Sequence, residues 1–332
     1  MLRSLAGGKI EDTGPLTKKR METVDEEFLD ATLDFIERQH KAKKPFFAWF
    51  NSTRMHVFTH LKPASQGKTG LGVYADGMVE LDGHVGQLLK KIDDLGIAKN
   101  TIVIFMTDNG AEFFGWPDGG TTIFRGEKNT SWEGGYRSPC MIRWPGVIKP
   151  GTVYNEIASN EDLMPTFLAA AGDARVKEEL LSGKKVGNKT FKVHLDGYNL
   201  LPWFKGEVAE SPRKEFLYWT DDGGLAAIRH GNWKALFLEQ RAVGFEVWAQ
   251  PFVPLRAPRV TNLRMDPLER AKDEAAGWVQ WQAERLFAFV PAQAFVAQWL
   301  SSFKEFPPRQ KPSSFSINQA MDKLSSNAGS HE

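Results

Sequence analysis

The sequence predicts an α/β fold with a largely parallel sheet flanked by helices, followed by a smaller C-terminal α+β subdomain with an antiparallel sheet. Two short apolar runs, residues 45–50 and 101–106, lie on either side of an amphipathic stretch of helical length, the pattern of a βαβ unit. Beyond about residue 190 the pattern changes to short alternating runs divided by turn signals, the mark of antiparallel strands. The division falls into 1–180 for the core and 190–332 for the subdomain, with the charged, Gly-containing stretch 173–190 as the linker.

Each element has its own local reason. Thr23-Val24-Asp25-Glu26 fits a capping box, and Leu29, Leu33 and Ile36 give the following helix an apolar face as far as about His40. Pro45 to Phe50 is a continuous apolar run, as expected of a strand buried on both faces. Tyr74 to Leu95 carries Met78, Leu81, Val85, Leu88, Leu89 and Ile92 as a helical stripe closed by Gly96. Thr101 to Met106 is the second strand, parallel to the first under the right-handed crossover rule. Met141 to Trp144 is a third, stopped by Pro145-Gly146, and a helix runs from Ser159-Asn160 to Gly172. Residues 216–219, 224–228 and 233–238 read as antiparallel strands, 270–304 as mostly helical, and the tail after Phe306 as a surface segment.

Composition narrows the function. The 332 residues are 42% apolar and 25% charged, ordinary for a folded protein. With 42 basic against 41 acidic residues the net charge is +1, which gives no reason to expect nucleic-acid binding. Any bound anion must therefore be held by a local site. The single cysteine, Cys140, excludes an intramolecular disulfide and reads as a small structural hydrophobe at a strand start. No run approaches the roughly 18 apolar residues that span a bilayer, so no transmembrane segment is expected. The opening MLRSLAGGKIEDTGPL holds no secretory signal, which places the chain as given in the cytoplasm; a longer parent would be free to be periplasmic or secreted.

In a parallel sheet, ligands bind at the carboxyl ends of the strands. Asp108 and Asn109 stand there, offering oxygen donors of the kind hard cations take, or else forming only a strand-to-loop turn. His56 follows the first strand and either donates a proton to a leaving oxygen or is a surface histidine; His60 reads as the latter. In the long loop from Ala111 to Ser138, Arg125, Lys128 and Arg137 are interleaved with Gly126, Gly134 and Gly135. Backbone amides and a lysine in such a loop can surround a tetrahedral oxyanion; a solvated charged loop is the alternative.

Seven segments in order, KPFFAWFNSTRMHVFTH, IVIFMTDNGAE, FRGEKNTSWEGGYRSPCMIRWPG, LMPTFLAAAG, DGYNLLPWFKGE, IRHGNWKALF and NLRMDPLER, resemble the sulfatase family of the alkaline-phosphatase-like superfamily. The closing FPPRQKPSSFS is similar to the end of bacterial arylsulfatases. The resemblance implies an arylsulfatase-like sulfuric ester hydrolase that cleaves small-molecule sulfate monoesters at a calcium site. By it, Asp108 and Asn109 ligate the calcium, His56 contacts the ester and assists its leaving oxygen, and Lys128 binds a sulfate oxygen.

The family's covalent nucleophile is a formylglycine made from the Cys or Ser of a C/S-x-P-x-R motif, and no such motif is encoded here. The family's amino-terminal Asp pair is absent too, as are the arginine of the motif and a further lysine and histidine. The resemblance thus implies an incomplete alkaline-phosphatase-like core, an N-terminally truncated chain inactive by itself, and self-association through an exposed sheet edge. The alternatives are a phosphonate or phosphate ester hydrolase of the same superfamily and a non-catalytic anion-binding protein.

Overall fold

A computed structural model describes residues 1–308 apart from Trp116, so the expected surface tail lies almost wholly outside the described residues. The chain forms two compact units. One comprises Met1–Met106, Glu112–Thr121 and Cys140–Gly146; the other comprises Thr107–Ala111, Thr122–Pro139 and the chain from Val147 onward.

In the first unit, helix α1 spans Val24–Lys41, with Asp25, Glu26 and Glu27 in its first turn and Arg38, His40 and Lys41 in its last, matching the helix dipole. Leu29 and Ile36 are buried, as their spacing predicts. The capping box does not form: the Thr23 side chain makes no cap hydrogen bond, and Glu26 ion-pairs with Lys62 instead. Helix α2, Val73–Asp94, ends at Leu95 and Gly96, the latter at φ 69° as a left-handed cap requires. It buries Ile92 with Asp76, Gly77 and His84, whereas Met78 of the expected stripe is exposed. The Asp76 carboxylate accepts from the Gly67 and Thr69 backbone amides, which exchanges its hydration for hydrogen bonds.

Strand β1, Val103–Met106, pairs with β2, Cys140–Arg143, and the pairing is antiparallel. The expected parallel pairing is not found: residues 45–50 form no strand, and no parallel pair occurs among the described residues. Phe46 packs edge-on against Phe35, but Phe47 and Trp49 are 67% and 79% exposed. An apolar run signals a demand for burial and carries no information about which chain supplies the ladder, so strand propensity depends on context. Cys140 also departs from expectation, being exposed at the start of β2.

In the second unit, a turn at Asn160–Asp162 leads into α3, Leu163–Ala170, and here a capping box does form between Ser159 and Asp162. The stretch read as a linker is structured: a helix at Val176–Ser182 and a hairpin of Lys184–Val186 with Lys189–Phe191. The four-stranded sheet consists of β3 Glu215–Trp219, β4 Leu225–His230, β5 Trp233–Glu239 and β6 Val253–Asn262, in the order β6-β5-β4-β3 and antiparallel throughout. Its core gathers Tyr218, Ala226, Ala227 and Leu236 around Trp132.

Helix α4, Phe289–Leu300, places Trp299 at 5.5 Å from the Trp219 ring and Phe295 at 6.2 Å from His230. With its flanking turns it belongs to a helical stretch, Leu286–Lys304, that is long and apolar enough by length and composition to cross a membrane. Gln293, Gln298, Ser301 and Ser302 break it, so it is not an unbroken apolar run of about 18 residues. The polar Gln293 and Gln298 lie among apolar side chains without adding charge.

Candidate active site

Three backbone hydrogen bonds join the loop after β1 to the glycine-containing loop before β2. Thr107 N donates to Pro139 O at 3.4 Å, Gly110 N to Gly135 O at 2.9 Å, and Lys128 N to Ala111 O at 3.0 Å. The glycines are there because the two backbones touch. A Cβ on Gly110 would stand 1.7 Å from Gly134 O, and Cβ atoms on Gly134 and Gly135 would stand 2.4 Å from Gly126 O and Glu127 O. Gly126 alone of these four also needs a positive φ, at 80°.

Asp108 and Asn109 are thereby held in one unit with Lys128. Asp108 is exposed and Asn109 half-buried. The Asn109 Nδ2 donates to Gly110 O at 2.8 Å, which leaves its Oδ1 as the group able to accept or ligate. The half-buried Lys128 holds its ammonium 5.6 Å from the Trp248 ring centre, within cation–π range. Its neighbours are tied down on both sides: Asn129 Nδ2 donates to Val247 O at 2.8 Å, and Glu127 accepts from Gly244 N at 2.6 Å.

Beneath this loop lies a charged cluster that the sequence did not reveal. Glu133, 1% exposed, accepts from the Tyr218 hydroxyl at 2.6 Å and from Arg137 Nε at 2.8 Å, and it pairs with Lys234 at 3.1 Å. Burial pushes the Glu133 carboxyl up, but Lys234, the Tyr218 hydroxyl, Arg137 and Arg229 outweigh it and hold the group down at about 2. Glu269 shares the same ammonium; burial raises its carboxyl, and the Glu133 charge beside it adds to the rise. Lys234 reads in the sequence as one polar position of an alternating strand, and nothing local marks its partner 101 residues away.

A prediction follows from the depressed Glu133 carboxyl. Its stabilisation is complete above the ordinary value of 4.5 and is lost as pH falls towards 2. The stability advantage of the wild type over Glu133→Gln should therefore shrink by about 3 kcal/mol across that window. Urea unfolding at a series of acid pH values measures it, and a constant difference would show that Glu133 does not titrate there.

His56 belongs to the first unit, where its ring is exposed. Its amide donates to Thr53 O at 3.0 Å, its Nδ1 lies 3.1 Å from Val57 O, and Thr59 Oγ1 donates to its carbonyl at 2.7 Å. The loop before it is pinned by buried Asp25, which accepts from Ser52 Oγ at 2.6 Å and Thr53 N at 2.8 Å. Buried Arg54 adds an ion pair to Glu80 at 2.7 Å. His60 is half-buried and no chemistry is assigned to it.

Asp108 and Asn109 do not make a calcium site by themselves. Asp108 and Asn109 supply two oxygen donors where calcium takes six to eight. Among the described residues no group of three or more His, Cys, Asp or Glu side chains is placed to hold a metal.

Comparison with known proteins agrees with the sequence resemblance. The family model described as Sulfatase matches residues 8–173. Arylsulfatase A of Homo sapiens is 34% identical over 223 residues, covering 66% of this chain and 41% of that protein. N-acetylgalactosamine-6-sulfatase of Canis lupus familiaris is 32% identical over 234 residues, covering 69% of this chain and 41% of that protein. The chain thus spans about two fifths of the length of these relatives. Among solved structures, the PsFucS1 sulfatase from Pseudoalteromonas sp. superposes with a TM-score of 0.76 at 26% identity, over 93% of this chain and 59% of that one. That neighbour carries the alkaline-phosphatase-like α/β fold.

Proposed function

We propose, since the chain belongs to the sulfatase family, that it supplies part of the site of a sulfuric ester hydrolase, arylsulfatase-like and acting on small-molecule sulfate monoesters. The observation that carries this is the backbone junction that holds Asp108 and Asn109 in one unit with Lys128. Lys128 is the point charge for a sulfuryl oxygen, and Asp108 with the free Oδ1 of Asn109 are two donors towards a calcium ion. When complete, such an ion would polarise the sulfuryl oxygens. His56 is the group assigned to the leaving oxygen, which must gain a proton when the ester S–O bond breaks.

The 332 residues contain no C/S-x-P-x-R nucleophile, so the purified chain is expected not to turn over sulfate esters. A chromogenic aryl sulfate assayed with calcium, for the wild type and Lys128→Ala, tests this. No hydrolysis by either folded chain is the expected result. Hydrolysis that disappears in Lys128→Ala would mean that the site works without the family nucleophile.

The exposed Phe47 and Trp49, together with a β1–β2 pair that has no third strand among the described residues, favour self-association through a sheet edge. Light scattering across a dilution series should show a concentration-dependent increase in mass. A monomer at every concentration would remove that part of the proposal.

A further inference from the structure

Both ends of the loop that carries Lys128 bond to Glu269 of the C-terminal region, and Arg125 also pairs with Asp273 at 2.8 Å. Arg125 Nη1 donates to the Glu269 carbonyl at 2.7 Å, and the Glu133 backbone N–H donates to the Glu269 carboxylate at 2.8 Å. The same carboxylate pairs with Lys234 at 3.0 Å, and Lys234 in turn reaches the Glu133 carboxylate at 3.1 Å. The Arg125 guanidinium also lies 3.9 Å from the Trp132 ring, and Gly134 N donates to Arg125 O at 2.7 Å, so the two ends of the loop meet.

Two further facts set this cluster apart from ordinary stabilisation. Lys234 and Glu269 are 1% and 3% exposed, and a buried ion pair is often no more stable than apolar side chains of the same volume. Glu269 also holds φ at 54°, a left-handed conformation that a non-glycine residue keeps only where its surroundings determine it. In that conformation one residue offers its carbonyl to one end of the loop and its carboxylate to the other.

We infer that Glu269 and Lys234 are positioning residues: together they clasp residues 125 and 133 so that the loop presents Lys128 to a tetrahedral oxyanion. The inference rests on Lys128 being the anion-binding group. Neither Glu269 nor Lys234 touches the anion. They act by keeping the loop closed, so that Lys128 does not lose binding free energy in ordering its own backbone.

The test is titration of the purified chain with inorganic sulfate by calorimetry at constant ionic strength, well below the melting temperature of each variant. Lys128→Ala should weaken sulfate binding about tenfold, the loss of one charge-assisted contact. Glu269→Gln, which keeps shape and removes charge, should weaken it about threefold or more. Glu269→Gln should have no further effect in the Lys128→Ala background, because the clasp acts through Lys128.

A purely structural role predicts a lower melting temperature with unchanged sulfate affinity, and that result would overturn the inference while leaving the role of Lys128 intact. Equal losses from Glu269→Gln with and without Lys128 would overturn it too. An unchanged affinity in Lys128→Ala, or no saturable sulfate binding by the wild type, would instead remove the assignment of Lys128 and the clasp with it. Lys234→Met should behave as Glu269→Gln does; if it fails to fold, Glu269→Gln carries the test alone.

Discussion

Replacing Arg213 by methionine should destabilise the second unit by about 3–5 kcal/mol, the range for breaking a buried ion pair and stranding its partner. The Arg213 guanidinium grips Asp162 with Nε at 2.8 Å from Oδ2 and Nη2 at 2.7 Å from Oδ1, the bidentate geometry that gives arginine its strongest pairs. Asp162 is fully buried and also accepts from the backbone amides of Ser159 and Tyr198, so it ties the start of α3 to the segment after the hairpin. Removing the arginine leaves that carboxylate with two amide donors and no cation. Urea unfolding of the wild type and Arg213→Met gives the difference. A second variant that also replaces Asp162 by leucine should recover part of the loss, because the stranded charge then disappears. A change below about 1 kcal/mol in the single variant would show that the pair is not an anchor.

Gly110→Ala should be as damaging, for a steric reason. The added methyl would stand 1.7 Å from Gly134 O and 3.0 Å from the Gly135 Cα, and both are backbone atoms. Neither can rotate away, so the junction between the Asp108–Asn109 loop and the Lys128 loop must open. Loss of the Gly110–Gly135 hydrogen bond together with overpacking should cost about 3 kcal/mol, and sulfate binding should fall with it. Gly277→Ala is the matched control, since nothing lies within 4 Å of its added Cβ. Unfolding curves and sulfate titration of the two alanine variants decide the matter. Two near-neutral variants would mean that the contact between the loops yields without consequence.

Much of the local structure was legible in the residues. Helices α1 and α2 follow from apolar spacing and charge placement, and α3 from its start at Ser159-Asn160, whereas the capping box there was found only in the structure. Strands β3, β4 and β5 follow from alternation between turns. What failed has one physical cause. Pro45 to Phe50 is apolar enough for a buried strand, yet a strand exists only where another supplies its hydrogen bonds. Residues 173–190 are polar enough for a linker, yet a short helix and a hairpin form there, with Val176 and Leu180 buried.

The same division runs through the site. The sequence by itself determined the family and singled out Asp108, Asn109, His56 and Lys128, because those residues sit in short contiguous motifs whose chemistry is written locally. Only the tertiary structure decided that Gly110, Gly134 and Gly135 are demanded by backbone contact, and that Lys234 and Glu269 close the loop around Lys128. Composition and periodicity report what each residue needs from its surroundings. The partner that meets the need stands 101 residues away for Glu133 and Lys234, and 136 for Glu133 and Glu269, distances that folding alone can close.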